Sequence, residues 1–178
     1  AGRDTTITVC ENNNIIYNLA TILQGDSVGG TWTRMSGSGG SFDNTFGTFI
    51  ASVGSSNSQF RYVVTNILPC LNDTSFVNIN VNVLPTINSI VVSCTPTPIS
   101  VQINATSTSG TLEYSIDGGT YQTSNIFSPV TNGNHIFSVR VQGTFCTDDS
   151  TIIINCTSCL PPVITCPTYY NGCSNENP

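Results

Sequence analysis

Lysine is absent from the 178 residues, and the chain has one histidine, one tryptophan and one methionine. Each shortage excludes something. Helix surfaces are normally built from Lys, Glu, Arg and Ala. A chain with no Lys, three Glu and little Ala or Leu should hold almost no helix. Charged residues make up 8% of the chain, with four Arg and a net charge of −6, which argues against a phosphate-backbone partner. No apolar run approaches the roughly eighteen residues of a membrane-spanning helix. Lysine–asparagine isopeptide links are impossible here, so covalent reinforcement falls to cysteine. A Ser-His-Asp hydrolase would have to use His135, yet no Gly-x-Ser-x-Gly elbow is present. The reading is non-enzymatic, with no cofactor.

What the chain does have is eight cysteines, which point to an oxidising, extracellular compartment. No signal peptide is present at Ala1, the expectation for a mature product or a piece of a longer chain. One stretch organises the rest: Phe76-Val-Asn-Ile-Asn-Val-Asn-Val-Leu84. Val77, Ile79, Val81 and Val83 alternate with Asn78, Asn80 and Asn82, which is a half-buried β-strand with one apolar and one amide face. Cys70 lies just upstream. The arrangement recurs as Phe145-Cys146-Thr-Asp-Asp-Ser150 followed by Thr151-Ile-Ile-Ile-Asn-Cys156. Each copy has an early partner, Ile7-Thr-Val-Cys10 and Val91-Val-Ser-Cys94. This internal repeat implies two modules.

The first module is expected over 1–85. Its strands are Thr5–Val9, Thr48–Val53, Gln59–Thr65 and Phe76–Leu84, with Ile15–Leu23 either strand or one helical turn. Trp32, in Gly29-Gly-Thr-Trp-Thr33, reads as a core anchor between two sheets, and Ser36–Gly47 as a loop or loose edge. Pro85 and Thr86 leave almost no linker, so the modules should stand end to end. The second module, 86–156, has strands at Ile87–Ser93, Ser100–Ala105, Asn134–Val141 and Ser150–Cys156. Leu112–Ile116 and Thr120–Gln122 form the clearest hairpin, around Asp117-Gly-Gly119. Six or seven short strands per module make the fold all-β, two tandem Ig-like β-sandwiches. Residues 157–178 carry three more cysteines and no periodicity, a disulfide-rich tail or the start of a further module.

The first module resembles repeats of very large secreted adhesins of gliding and related Bacteroidetes bacteria. The matching residues are Ala1-Gly-Arg-Asp4, Ile7-Thr-Val-Cys10, Gly29-Gly-Thr-Trp32, Gly47-Thr-Phe49, Tyr62-Val-Val-Thr65 and Pro69-Cys70. The second resembles a companion repeat through Tyr114-Ser-Ile-Asp-Gly-Gly-Thr-Tyr-Gln122, Phe127 and Gly133–Val139, with His135 where those repeats usually carry an aromatic. The resemblance covers roughly 1–156 and implies Ig-like modules of cell-surface or secreted fibres, with no chemistry.

One cysteine of each module ends an early strand and another precedes the last strand. Disulfides Cys10–Cys70 and Cys94–Cys146 are therefore expected, with Cys156 a competitor for Cys94. Each would contribute roughly 4 kcal/mol in the chain-entropy model. Cys156, Cys159, Cys166 and Cys173 should form two more, in one of three connectivities; a four-thiolate zinc site is the alternative. The carboxylates fall mostly in turn-like segments: Asp26, Asp43, Asp73, Asp117, Asp148 and Asp149. Asn72-Asp73 and Asp148-Asp149 are either turn caps or calcium ligands, capping being the commoner use. Asp4-Thr5, Asp26-Ser27, Asp73-Thr74 and Asp149-Ser150 resemble the Asp-Ser/Thr signal at which exported Bacteroidetes proteins carry O-glycans, Thr74 least well. Turn-capping explains the same pairs. The function expected is an extracellular structural or adhesive fibre module. The alternatives are a subunit of a self-assembling filament or virion-like fibre, and a glycan- or protein-binding module. Its partners would be neighbouring copies or modules of the same fibre, meeting at Thr5–Val9 and the tail, with surface glycans as the other candidate.

Overall fold

The computed structural model describes residues 1–12, 14–25, 29–65, 72–95 and 97–157. The alternation around Ile79 becomes strand β7, Asp73–Asn82, with Val77 and Ile79 fully buried and the asparagines turned outward. Its neighbours are β1 (Thr5–Cys10) on one side and β6 (Ser58–Val64) on the other. Strand β3 (Thr31–Ser36) completes a four-stranded sheet in the order β1-β7-β6-β3. The β6–β7 and β3–β6 pairs are antiparallel, but β1 runs parallel to β7, from Thr5 opposite Val77 to Cys10 opposite Asn82.

A smaller sheet, β2 (Tyr17–Asn18), β5 (Thr48–Ile50) and β4 (Ser41–Asp43), forms the second layer. The ambiguous stretch Ile15–Leu23 is both things in turn. After β2 it forms α1 (Leu19–Leu23), the one helix among the described residues, whose start is capped by the Asn18 carboxamide accepting the Ala20 and Thr21 N–H groups at 3.1 and 3.3 Å. Leu19 and Leu23, four apart and on one face, are fully buried against Phe49, Phe60, Val77 and Ile79. Trp32 is the core anchor expected. Its ring lies 4.7 Å from that of Tyr62 and covers Gly47, where any Cβ would overlap the indole and φ is +62°.

The second sandwich pairs β8 (Thr86–Ser93), β9 (Ser100–Thr106) and β11 (Ile126–Phe127) in one sheet. The other sheet holds β10 (Leu112–Ile116), β12 (Gly133–Val141) and β13 (Thr147–Ile154). Val101, Ile103 and Phe127 meet Tyr114, Phe137, Val139 and Ile154 between them. Asp117 (φ 52°) and Gly118 (φ 70°) make the expected tight turn, closed by the Gly119 N–H on the Ile116 carbonyl at 2.9 Å. The returning segment pairs with β10 only at Tyr114–Gln122, however. The main partner of β10 is β12, because the chain leaves this sheet to place Ile126 and Phe127 on β9.

Candidate functional site

Between Asn82, the end of β7, and Thr86, the start of β8, only three residues intervene, and Pro85 is fully buried. Two other groups hold this junction. Glu11, 5% exposed, accepts the Gly54 N–H at 2.8 Å on one carboxylate oxygen and the Leu84 N–H at 3.2 Å on the other. Its own N–H donates to the Asn82 carbonyl at 2.9 Å. On the second sandwich, the Asp148 carboxylate accepts the Ile87 N–H at 2.7 Å. A cleft of about 230 Å³ remains, walled by Glu11, Asn12, Val53 and Leu84 from one sandwich and by Thr86 and Thr106 to Thr108 from the other.

A disulfide closes the junction. Cys10, at the end of β1, is bonded to Cys146, just before β13, with Cα atoms 5.5 Å apart. Cys94, after β8, is bonded to Cys156, after β13, with Cα atoms 5.4 Å apart. These pairings replace the expected Cys10–Cys70 and Cys94–Cys146. The reason lies in strand direction. Because β1 is parallel to β7, Cys10 ends beside Asn82, roughly 30 Å along the strand from Asp73, where β7 begins. The start of β7 lies at the other end of that ladder. The same logic moves Cys94, since β8 and β13 both run away from the junction and the end of β8 meets the end of β13, where Cys156 sits. Cys156, the competitor named for Cys94, is thereby removed from the tail set. A bonded sulfur is no thiolate, so a four-cysteine zinc site built on Cys156 is lost in this form. Cys70, Cys159, Cys166 and Cys173 lie outside the described residues.

At the far end of the second sandwich, Asn132 holds Cys156 on both sides. Its carboxamide oxygen accepts the Cys156 N–H at 2.7 Å and its NH₂ donates to the Cys156 carbonyl at 3.0 Å. Next to it His135, 9% exposed, donates from Nδ1 to the Asp117 carboxylate at 2.7 Å and from Nε2 to the Thr131 carbonyl at 3.0 Å. The Thr131 hydroxyl lies 3.5 Å from the same Nε2, so oxygens face both ring nitrogens. The hydrogen bond to Asp117 raises the His135 pKa above its ordinary value. The Ile136 N–H and then His135 lower that of Asp117.

The remaining candidates are spread apart. Thr5 opens β1 half-buried, its hydroxyl donating to the Arg3 carbonyl at 3.1 Å, and Asp4 accepts the Phe76 N–H at 2.9 Å. Thr74 is exposed in β7, and Ser150 is half-buried in β13. All three sit in strands, not in the turns expected for them; Asp26 and Ser27 lie outside the described residues. Asp43 does cap a turn, accepting the Thr45 and Phe46 N–H groups at 2.8 and 3.1 Å. Asp73 instead begins β7, and Asp148 and Asp149 are consecutive in β13, so their side chains leave opposite faces and cannot share one ion. Glu11 and Asn132 were not singled out from the sequence, and no local pattern marks them.

No protein-family model and no curated protein matches the chain. Among solved structures it is similar to extracellular domains 3–5 of Drosophila OTK, at 12% identity and a TM-score of 0.39 over 86% of this chain and 60% of that one. It is similar to the N-terminal four Ig domains of Dscam1 isoform 7.44, at 11% identity and a TM-score of 0.34 over 86% of this chain and 43% of that one. For Sidekick-1 immunoglobulin domains 1–5 the values are 16% and 0.29, over 83% and 38%. The chain thus spans less than two thirds of each of these structures.

Proposed function

We propose that the chain is a structural and adhesive module pair of an extracellular fibre, without catalytic activity. The observation that carries this reading is the Cys10–Cys146 bond, which joins two Ig-like sandwiches into one covalent unit. Disulfides persist in extracellular, oxidising surroundings. A joint closed by a buried proline, a carboxylate on two backbone N–H groups and a disulfide suits a rod that keeps its length. The resemblance to repeat modules of secreted Bacteroidetes adhesins supports the same reading. Neighbouring copies or modules of the fibre would then be its partners, and a self-assembling filament is the variant of this reading in which the chain is itself the subunit. O-glycans at Thr5, Ser27, Thr74 and Ser150 belong to this proposal, since edge strands without lysine need another means of staying apart. Shearing fibres from intact native cells and taking the intact mass of the recovered chain tests both parts. Recovery in the sheared fraction with hexose-sized increments is expected. Recovery only from the cell interior overturns the fibre, and a mass equal to the bare oxidised chain overturns the sugar.

A further inference from the structure

Four strands run the same way along the molecule. β1 and β7 both run toward the junction, since they are parallel from Thr5–Val77 to Cys10–Asn82. β8 and β13 both run away from it, from Thr86 and Thr147 to the cysteines bonded at the far end. The strands join into two continuous rails. One is β7 to β8 through the peptide chain at Pro85. The other is β1 to β13 through the Cys10–Cys146 bond. Cross-ties connect the rails along their length. The β1–β7 ladder spans the first sandwich, and Glu11 bonds Asn82 and Leu84 at the junction. Asp148 bonds Ile87 just beyond it, and Cys94–Cys156 closes the far end.

We propose that this double rail is a tension-bearing device, in which pull applied to the two ends of the chain bypasses nearly everything between Cys10 and Cys146. Its biological meaning rests on the fibre reading above, while the load path belongs to the single molecule. Force entering at Ala1 travels along β1, crosses the disulfide and leaves along β13. The intervening span, a sequence separation of 136, lies outside this direct covalent path. Both loaded strands are pulled along their length against long ladders. β1 is held by six register pairs to β7, and β13 by eight to β12, from Arg140–Thr147 to Gly133–Ile154. Ladder hydrogen bonds run between strands, perpendicular in the antiparallel β12–β13 pair and slanted in the parallel β1–β7 pair, so a pull along the strand loads them together and not one at a time. The second disulfide spreads the load. Force arriving at Cys156 passes into β13 and, through Cys94, into β8, so each sheet of the second sandwich takes a share. The two bonds also overlap along the chain, 10–146 and 94–156. If the first is lost, Cys94–Cys156 still shields its own separation of 62 residues.

Single-molecule pulling of the full chain from its two termini, with thiol reductant added after folding, tests the proposal. The oxidised chain should extend without releasing the span between Cys10 and Cys146. In-place reduction should add roughly 450–490 Å of contour, the extended length of that span. A Cys10→Ala, Cys146→Ala double variant should release the 136-residue separation less the 62 still held by Cys94–Cys156, which is 74 residues or roughly 240–270 Å. An oxidised chain that already releases the full length, or a length unchanged on reduction, overturns the load path. Because reduction is performed on folded wild-type chain, the test stands even where the double variant fails to fold. A chain that fails this test could still be a fibre module, and one that passes need not be, so the two readings stand or fall separately.

Discussion

His135 shows how one side chain can serve a structural end with parts that look catalytic. It joins the Asp117 turn to the Thr131 loop, beside the point where Asn132 holds Cys156. Its raised pKa means the folded chain binds this proton more tightly than the unfolded chain does. The stability it contributes is complete below the unfolded value of 6.5 and is lost as pH rises through the folded value. Asp117 works in the opposite sense. Its contribution is present above 3.8 and is lost as pH falls through its lowered folded value. The pair therefore stabilises the second sandwich fully between those two limits. An NMR titration of the His135 ring should give a midpoint above 6.5 that moves down in Asp117→Asn. A wild-type midpoint at or below the ordinary value would remove the ion pair from this account.

At the scale of elements, β7 is where alternation becomes energy. Ile79 is fully buried between the layers, while Asn80 next to it is exposed. Ile79→Ala should cost about 2–5 kcal/mol through lost transfer energy and the cavity left behind. Asn80→Ala should change stability by no more than about 0.5 kcal/mol. Denaturant melts of the two variants measure both. Comparable losses would mean that the strand is not half-buried as placed. The alternation is visible in the amino acids themselves. The direction of the strand beside it is not, because an apolar face packs equally well whether β1 runs with β7 or against it.

For the whole molecule the disulfides matter most, since among the described residues the two sandwiches share no hydrophobic cluster. Loops of 136 and 62 residues give about 5 and about 4 kcal/mol in the chain-entropy model. Digestion of unreduced protein with trypsin and a protease that cuts at aspartate separates Cys146 from Cys156. Mass spectrometry should then find Cys10 linked to Cys146 and Cys94 to Cys156. Cross-linked peptides joining Cys10 to Cys70, or Cys94 to Cys146, would restore the within-module pairing and dismantle the rails with it.

The sequence alone determined the all-β class, the burial of the Val77 and Ile79 face, the role of Trp32 and the Asp117 turn. These follow from period-two patterning, side-chain volume and the positive φ that few residues accept, all of which are local. Only the tertiary structure decided what joins what. The parallel run of β1 beside β7 carried Cys10 to the junction, and the common direction of β8 and β13 brought Cys94 to Cys156. Glu11 became a tie between Gly54 and Leu84 on the first sandwich's side of the joint for the same reason, placed there by the strand it follows. Cysteine spacing reports how far apart two sulfurs lie along the chain. Which of them meet depends on strand direction, and that is settled only when the sheets close.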